Sequence, residues 1–267
     1  MTGLINSFNS VGEVLMEEAP AFIYVLVALF GLLVGSFLNV CIYRIPEGQS
    51  IVVVPSHCMT CGKKLHWYEL VPLFSWLFLR GKCHGCKSKI SFQYPLVEAA
   101  NSLLWLLVFF VKGFTIDSFI CMGLVSTLFV IAVIDARTME IPNGLVIFIL
   151  VLAAIRRIFY HEELLDMILG PVVMGGLFFA ILLFSNGRAM GGGDVKLMFA
   201  CGLYLGLKCC ALSLVIACIV GSVIHVALMI ILKKGRELAF GPYLAVGYAA
   251  AALWGGVIIN WYTGFFM

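Results

Sequence analysis

The sequence predicts an all-α polytopic membrane protein of about eight transmembrane helices, interrupted once by a small polar insertion. Two observations carry that prediction. Of 267 residues, 63% are hydrophobic and 12% charged, with a mean hydropathy of +1.09. An ordinary soluble domain is roughly 25% charged. The apolar residues also fall in runs long enough to be buried in lipid as helices. This composition excludes a soluble globular enzyme, a disordered tail protein and a nucleic-acid-binding module. The net charge of +3 is too small for a polyanion footprint.

The elements follow in order. Residues 1–20 are polar, carry Glu13, Glu17 and Glu18, and contain no Lys or Arg, so they are not a secretory signal peptide. They are read as an extracytoplasmic N-terminus. Residues 21–43 form the first span, Ala21–Tyr43, long enough to cross a hydrocarbon core of about 30 Å. Residues 44–94 are the polar insertion. Residues 95–267 hold the other apolar runs: Pro95–Val111, Thr115–Ile134, Asn143–Phe159, Ile168–Ser185, Val195–Gly206, Cys209–Leu232 and Pro242–Thr263.

Val195–Gly206 reaches only about 18 Å as a helix. It is either a re-entrant half-helix or a short span, and the charges favour a span. If every run crosses and the N-terminus is outside, thirteen Lys and Arg are cytoplasmic, including Lys233, Lys234 and Arg236. Only Lys112, Arg156, Arg157 and Lys208 lie outside. That is the positive-inside pattern of an inner-membrane protein, and it makes the 44–94 insertion cytoplasmic.

The insertion contains Cys58-Met59-Thr60-Cys61 and Cys83-His84-Gly85-Cys86, two C-x2-C pairs separated by 21 residues. Each pair is a tight turn aiming two thiolates at one point, and two turns supply the tetrahedral sulfur set that zinc prefers. Gly62 and Gly85 suit such turns. Cys58, Cys61, Cys83 and Cys86 are therefore candidate ligands of a structural Zn2+, a staple for a 51-residue module with little core. Redox pairs or disulfides are the alternative, and a reducing cytoplasm disfavours stable disulfides. Leu70–Leu79, with Trp76, either fills the small core or lies along the membrane interface. His57, His66 and His84 are read as solvated loop residues.

Three acids stand out at the spans: Glu98, Asp135 and Asp194. An acid at the centre of a membrane helix costs about 2.5–3.5 kcal/mol on insertion scales, which points to a function. The topology puts Asp135 at the end of span three and Asp194 at the start of span six, both at the cytoplasmic boundary. If they meet, two carboxylates in a poorly solvated site hold one proton between them. The pair then supplies a general base for water and a general acid for a leaving amine. Gly191-Gly192-Gly193 before Asp194 allows a peptide to approach closely and permits unusual φ angles. Helix capping is the alternative for Asp194, and pairing with Arg137 the alternative for Asp135. Lys196 either snorkels or acts on Asp194. Glu98 is otherwise an interfacial acid.

The chain resembles the type IV prepilin peptidases, also called leader peptidase/N-methyltransferases, which are membrane aspartic proteases of the G-x-G-D class. Residues carrying the resemblance are Gly35-Ser36-Phe37-Leu38-Asn39-Val40, the two cysteine pairs, Ile90–Glu98, Asp135 with Ile141-Pro142-Asn143, Gly191–Leu197 and Phe240–Ala245. Met59, Ala189, Asn143 and Ala239 depart from the family's usual residues. The resemblance implies Asp135 and Asp194 as catalytic residues. It also implies substrates that are type IV prepilins or pseudopilins of pilus and type II secretion systems. Their leader would be cut after Gly on the cytoplasmic side, and the new N-terminus then methylated from S-adenosylmethionine. No strand–G-x-G-x-x-G–helix unit for that donor is present, and Glu98 is the candidate carried forward for its site. Membrane lipid is the other partner expected, and nucleic acid is not. Alternatives are a peptidase without methylation, a cation-coupled transporter using the two Asp, a membrane thiol oxidoreductase, or a scaffold.

Overall fold

The protein is described by a computed structural model covering residues 2–160, 164–232 and 239–265. Lys233, Lys234 and Arg236, which the charge count places in the cytoplasm, lie outside the described residues. Two compact units are formed, one of Phe8–Ser118 and one of Phe119–Met267 with residues 1–7. The helices are α1 (Thr2–Glu18), α2 (Pro20–Arg44), α3 (Phe74–Phe78), α4 (Gln93–Lys112), α5 (Ile116–Thr138), α6 (Asn143–Tyr160), α7 (Leu164–Leu169), α8 (Gly176–Phe184), α9 (Gly192–Leu232) and α10 (Gly241–Thr263). A π-helical stretch, Gly170–Gly175, joins α7 to α8. Among the described residues there is no β-strand. The protein is an all-α polytopic membrane protein.

Seven helical stretches among the described residues are long and apolar enough to cross a membrane, and one of these, Gly192–Ile231, is 40 residues long. That long stretch contains a reversal. Gly206 has φ 75° and ψ 176°, a conformation essentially restricted to glycine. Across it, Cys210 Sγ lies 3.4 Å from Met198 Sδ. In a straight helix, twelve residues span about 18 Å, beyond the reach of these side chains. The chain therefore folds back at Gly206, and α9 is a short arm followed by a long one. The Val195–Gly206 and Cys209–Leu232 runs are these two arms. Asp166 of α7 caps the second arm, its Oδ1 accepting from the Leu207 N–H at 3.2 Å.

Glycine sets the helix contacts. In the first unit, α2 and α4 run antiparallel. A Cβ on Gly31 would lie 2.8 Å from Ser102 Cα, and one on Gly35 would lie 2.7 Å from Glu98 Cα. The Gly31-x-x-x-Gly35 spacing places both on one face, the small-residue contact that lets membrane helices approach. Asn101 Nδ2 then donates to Gly31 O at 2.8 Å, and Asn39 Nδ2 to Tyr94 O at 3.1 Å. In the second unit, Gly202 of α9 meets the Gly170–Pro171 backbone, and Gly247 of α10 meets Ser213. The 1–20 segment, read only as a polar N-terminus, contains the helix α1. Its Phe8 stacks on Phe114 and its Gly12 abuts the same ring. A ring that covers a helix face is set by packing, and helix propensity alone does not reveal it.

Gly206→Ala is expected to cost about 1–3 kcal/mol for the forced backbone, with a further penalty because the new methyl would overlap the Asp166 carboxylate. Gly256, which has open space around it, is the control. Thermal unfolding in detergent should show a lowered midpoint for Gly206→Ala and none for Gly256→Ala.

Candidate functional site

Asp135 lies in the last turns of α5 and is 5% exposed. A buried carboxylate needs donors, and the start of α10 provides one. The Gly241 N–H donates to Asp135 Oδ2 at 2.9 Å. The approach leaves no room for a side chain, since a Cβ on Gly241 would sit 2.5 Å from that oxygen. Pro242 follows at the opening of α10, where its missing N–H costs nothing.

Asp194 is the third residue of α9 and half-buried. Its carboxylate takes a hydrogen bond from the Gly191 backbone N–H and lies within electrostatic reach of Asp135. The capping alternative is therefore met in part, because a residue at this position can reach back to the preceding N–H. It does not exclude an approach of the two acids, whose charges act on each other. Gly193 brings the helix that carries Asp194 close to the end of α5. A Cβ there would lie 3.0 Å from Ile141 Cβ, so the start of α9 presses against the loop that leaves α5. None of Gly191, Gly192 and Gly193 has a positive φ. The expected unusual angles are absent because α9 begins within the run. Gly192 has nothing within 4 Å of where its Cβ would stand, which leaves backbone open beside Asp194. Lys196 Nζ donates to Asn143 Oδ1 at 2.9 Å and ties α9 to the start of α6.

In the other unit, the Sγ atoms of Cys58, Cys61, Cys83 and Cys86 all lie within 4.8 Å of one another. Cys58 and Cys86 sulfurs are 3.9 Å apart. A tetrahedron with metal–sulfur bonds of about 2.3 Å has edges of about 3.8 Å, whereas a disulfide needs about 2.05 Å. All four cysteines are free. The two turns repeat one hydrogen-bond pattern. Cys58 N donates to Lys63 O and Gly62 N to Cys58 O; Cys83 N donates to Ser88 O and Lys87 N to Cys83 O. The left-handed residue comes just after each second cysteine, at Gly62 (φ 70°) and Lys87 (φ 59°). Gly85 is not that residue. It instead gives room to the Lys63 side chain, 3.2 Å from where a Cβ would stand. Backbone N–H groups of Cys61 and then Thr60 pull the Cys58 thiol down to about 6, while the neighbouring Cys61 thiol is pushed up to about 11. The cluster can hold a metal ion.

Two acids support this module. Glu69 is buried, accepts the His66 N–H at 2.8 Å and pairs with Lys63 at 3.3 Å. The His66 N–H and then the Lys63 ammonium hold it below the usual carboxylate range. His66, read as a solvated loop residue, thus opens the 3₁₀ turn Trp67–Leu70. Glu98 is buried in α4. Its Oε2 accepts the Leu73 N–H at 2.8 Å, and the Ser36 hydroxyl is a second partner. Leu73 has φ 59°, unusual for a non-glycine residue, and the bond holds it there. Sequence reasoning missed this contact and the Gly241–Asp135 contact, because each joins residues far apart in the chain.

The comparisons with known proteins agree on one family. The Bacterial Peptidase A24 N-terminal domain profile matches residues 29–112, and the Type IV leader peptidase family profile matches residues 122–226. The prepilin leader peptidase/N-methyltransferase of Bacillus subtilis (strain 168) is 35% identical over 237 residues, covering 88% of this chain and 95% of that protein. The chain belongs to the type IV leader peptidase family. Proteins of the same name from Pseudomonas putida (31% identical, 90% of this chain, 93% of that protein) and Pseudomonas aeruginosa (32%, 89% and 92%) are also similar. No solved structure matches the chain. Both acids fall within the family profile's 122–226 match, and all four cysteines within the 29–112 match.

Glu98→Ala is expected to leave the Leu73 N–H without a partner, at a cost of about 1–3 kcal/mol for a buried donor. Hydrogen exchange should show faster exchange at Leu73 and its neighbours, with α10 unchanged.

Proposed function

We propose that the chain is a membrane aspartic endopeptidase that removes the leader of type IV prepilins or pseudopilins, cutting after Gly, and then N-methylates the new N-terminus. The observation that supports this reading is that Asp135, held by the start of α10, and Asp194, at the start of α9, lie within electrostatic reach of each other. With one proton between two carboxylates, the ionised one takes a proton from water as the water adds to the scissile carbonyl. The protonated one gives its proton to the leaving amine. The water's oxygen ends on the leader's new carboxylate. Gly241 fixes one oxygen of Asp135 by its N–H, so the other faces the reaction. The open backbone at Gly192 gives an extended substrate room beside Asp194. The positive-inside count supports an inner-membrane enzyme with its N-terminus outside and its active site at the cytoplasmic face.

We assign Cys58, Cys61, Cys83 and Cys86 to a structural Zn2+. Four protein sulfurs leave no position for water, so the metal staples the module and does no hydrolysis. The methyl donor is proposed to be S-adenosylmethionine. Glu98, the candidate for its site, has the Leu73 amide and Ser36 hydroxyl as partners, which account for its burial without a donor. We assign it an anchoring role.

The test is a cleavage assay in lipid, using a prepilin-like peptide with a Gly–Phe junction, with and without S-adenosylmethionine. Wild type is expected to cleave it and to add one methyl group only when the donor is present. Asp135→Ala and Asp194→Ala should each abolish cleavage while the protein stays in membranes. Normal processing by either overturns the pair. Gly241→Ala, which displaces Asp135 without removing it, should lower the cleavage rate by about 10²-fold. Separately, Cys58→Ser should strip zinc from the purified protein and unfold the module, because metal binding there is folding free energy. Metal analysis of wild type that finds no zinc would overturn this assignment.

A further inference from the structure

The cysteine module turns large apolar side chains outward in two places. One is the loop after α2, where Val52 and Val53 are 84% and 81% exposed. The other is the 3₁₀ turn and α3, where Trp67 is 80%, Leu77 66% and Phe78 81% exposed. Trp76 of the same module is better covered: it packs over Gly81 and against Phe92, and its indole N–H reaches Ile90 O.

Both places are tied to a membrane helix at its end. Arg44, the last residue of α2, donates to the carbonyls of Ser50, Val54 and Pro55 at 3.2, 2.6 and 3.3 Å. This clasp brackets the valine tip and keeps it beside the helix end. Leu73, immediately before α3, is held by Glu98, five residues or about 7.5 Å along α4 from its start at Gln93. Two membrane helices thus each hold an apolar surface of the module near one of their ends. Phe92 and Leu96, at the start of α4, are also exposed and continue the apolar surface into the span. An apolar depression of about 340 Å³ opens between the 3₁₀ turn and α3, lined by Tyr68, Val71, Phe74, Ser75, Phe78 and Leu79.

The module's charge selects the partner. Residues 44–94 carry seven Lys and Arg against Glu47 and Glu69 alone. A net-basic module with exposed apolar and aromatic tips is the pattern of a segment lying in the headgroup region of an anionic leaflet.

We propose that the module docks on an anionic phospholipid surface, with Val52 and Val53 on one contact and Trp67, Leu77 and Phe78 on the other inserted among the upper acyl carbons. The docking holds the module flat against the bilayer and adds to the two hydrogen-bonded tethers.

The test uses the full-length, metal-loaded protein in lipid nanodiscs and does not depend on peptidase activity. The emission of wild type minus that of Trp67→Phe isolates Trp67. Lipids brominated high on the acyl chain are expected to quench this emission, and aqueous iodide is not. Discs containing phosphatidylglycerol should quench it more than discs of phosphatidylcholine alone. Leu77→Ser with Phe78→Ser should lose the bromolipid quenching and gain iodide quenching while the metal stays bound. Iodide quenching of wild type without bromolipid quenching would overturn the proposal. So would shielding of Trp67 from iodide by a prepilin-like peptide and not by lipid, which would make the face a peptide site. Equal quenching in neutral and anionic discs would overturn the choice of an anionic surface.

Discussion

Between helices in lipid there is no hydrophobic drive to associate, so close approach of backbones must hold them together. This chain meets that constraint with glycine. Gly31 and Gly35 admit α4 to α2, Gly202 admits the Gly170–Pro171 backbone, and Gly247 admits Ser213. The same device builds the candidate active site. Gly193 lets α9 press on Ile141, and Gly241 lets α10 close over Asp135 until its N–H meets the carboxylate. Packing and chemistry share one geometry. A side chain added at Gly241 would disturb an oxygen of the acid before it disturbed any core.

The reversal at Gly206 extends this logic. An apolar run of 40 residues could have formed one oversized helix. The glycine breaks it, Asp166 satisfies the freed Leu207 N–H, and Met198, Cys210 and Tyr248 close the gap by sulfur contacts. Backbone polarity within lipid is thereby satisfied at the one place where the helix fails. The short first arm that results carries Asp194 at its start. In the cysteine module and at its ties to α2 and α4, hydrogen bonds are the organising device. Arg44, Glu69 and Glu98 each hold backbone groups of a module that has little apolar interior.

Much of this was legible in the sequence, for physical reasons. Spans announce themselves by composition, and the brevity of Val195–Gly206 already marked the broken helix. The C-x2-C pairs are legible because a local turn fixes both sulfurs. Asp135 and Asp194 stood out because acids are costly in apolar surroundings. What stayed hidden depends on contacts between distant residues. Nothing near Gly241 announces that its N–H serves an acid 106 residues earlier. Leu73 and Lys87 take left-handed conformations that their side chains disfavour, held there by hydrogen bonds that propensity does not see. Gly85 invited the assignment that belongs to Lys87, since a glycine beside a cysteine is the natural candidate for a turn.

The proposed mechanism requires Asp135 and Asp194 to work as one unit. The most direct measurement is a double-mutant cycle on leader cleavage in lipid, comparing Asp135→Asn, Asp194→Asn and the double variant with wild type. Groups acting as a unit are strongly non-additive. Each single change is expected to cost as much as both together. Losses that simply add in free energy would contradict it, because they would mean that the two carboxylates act independently.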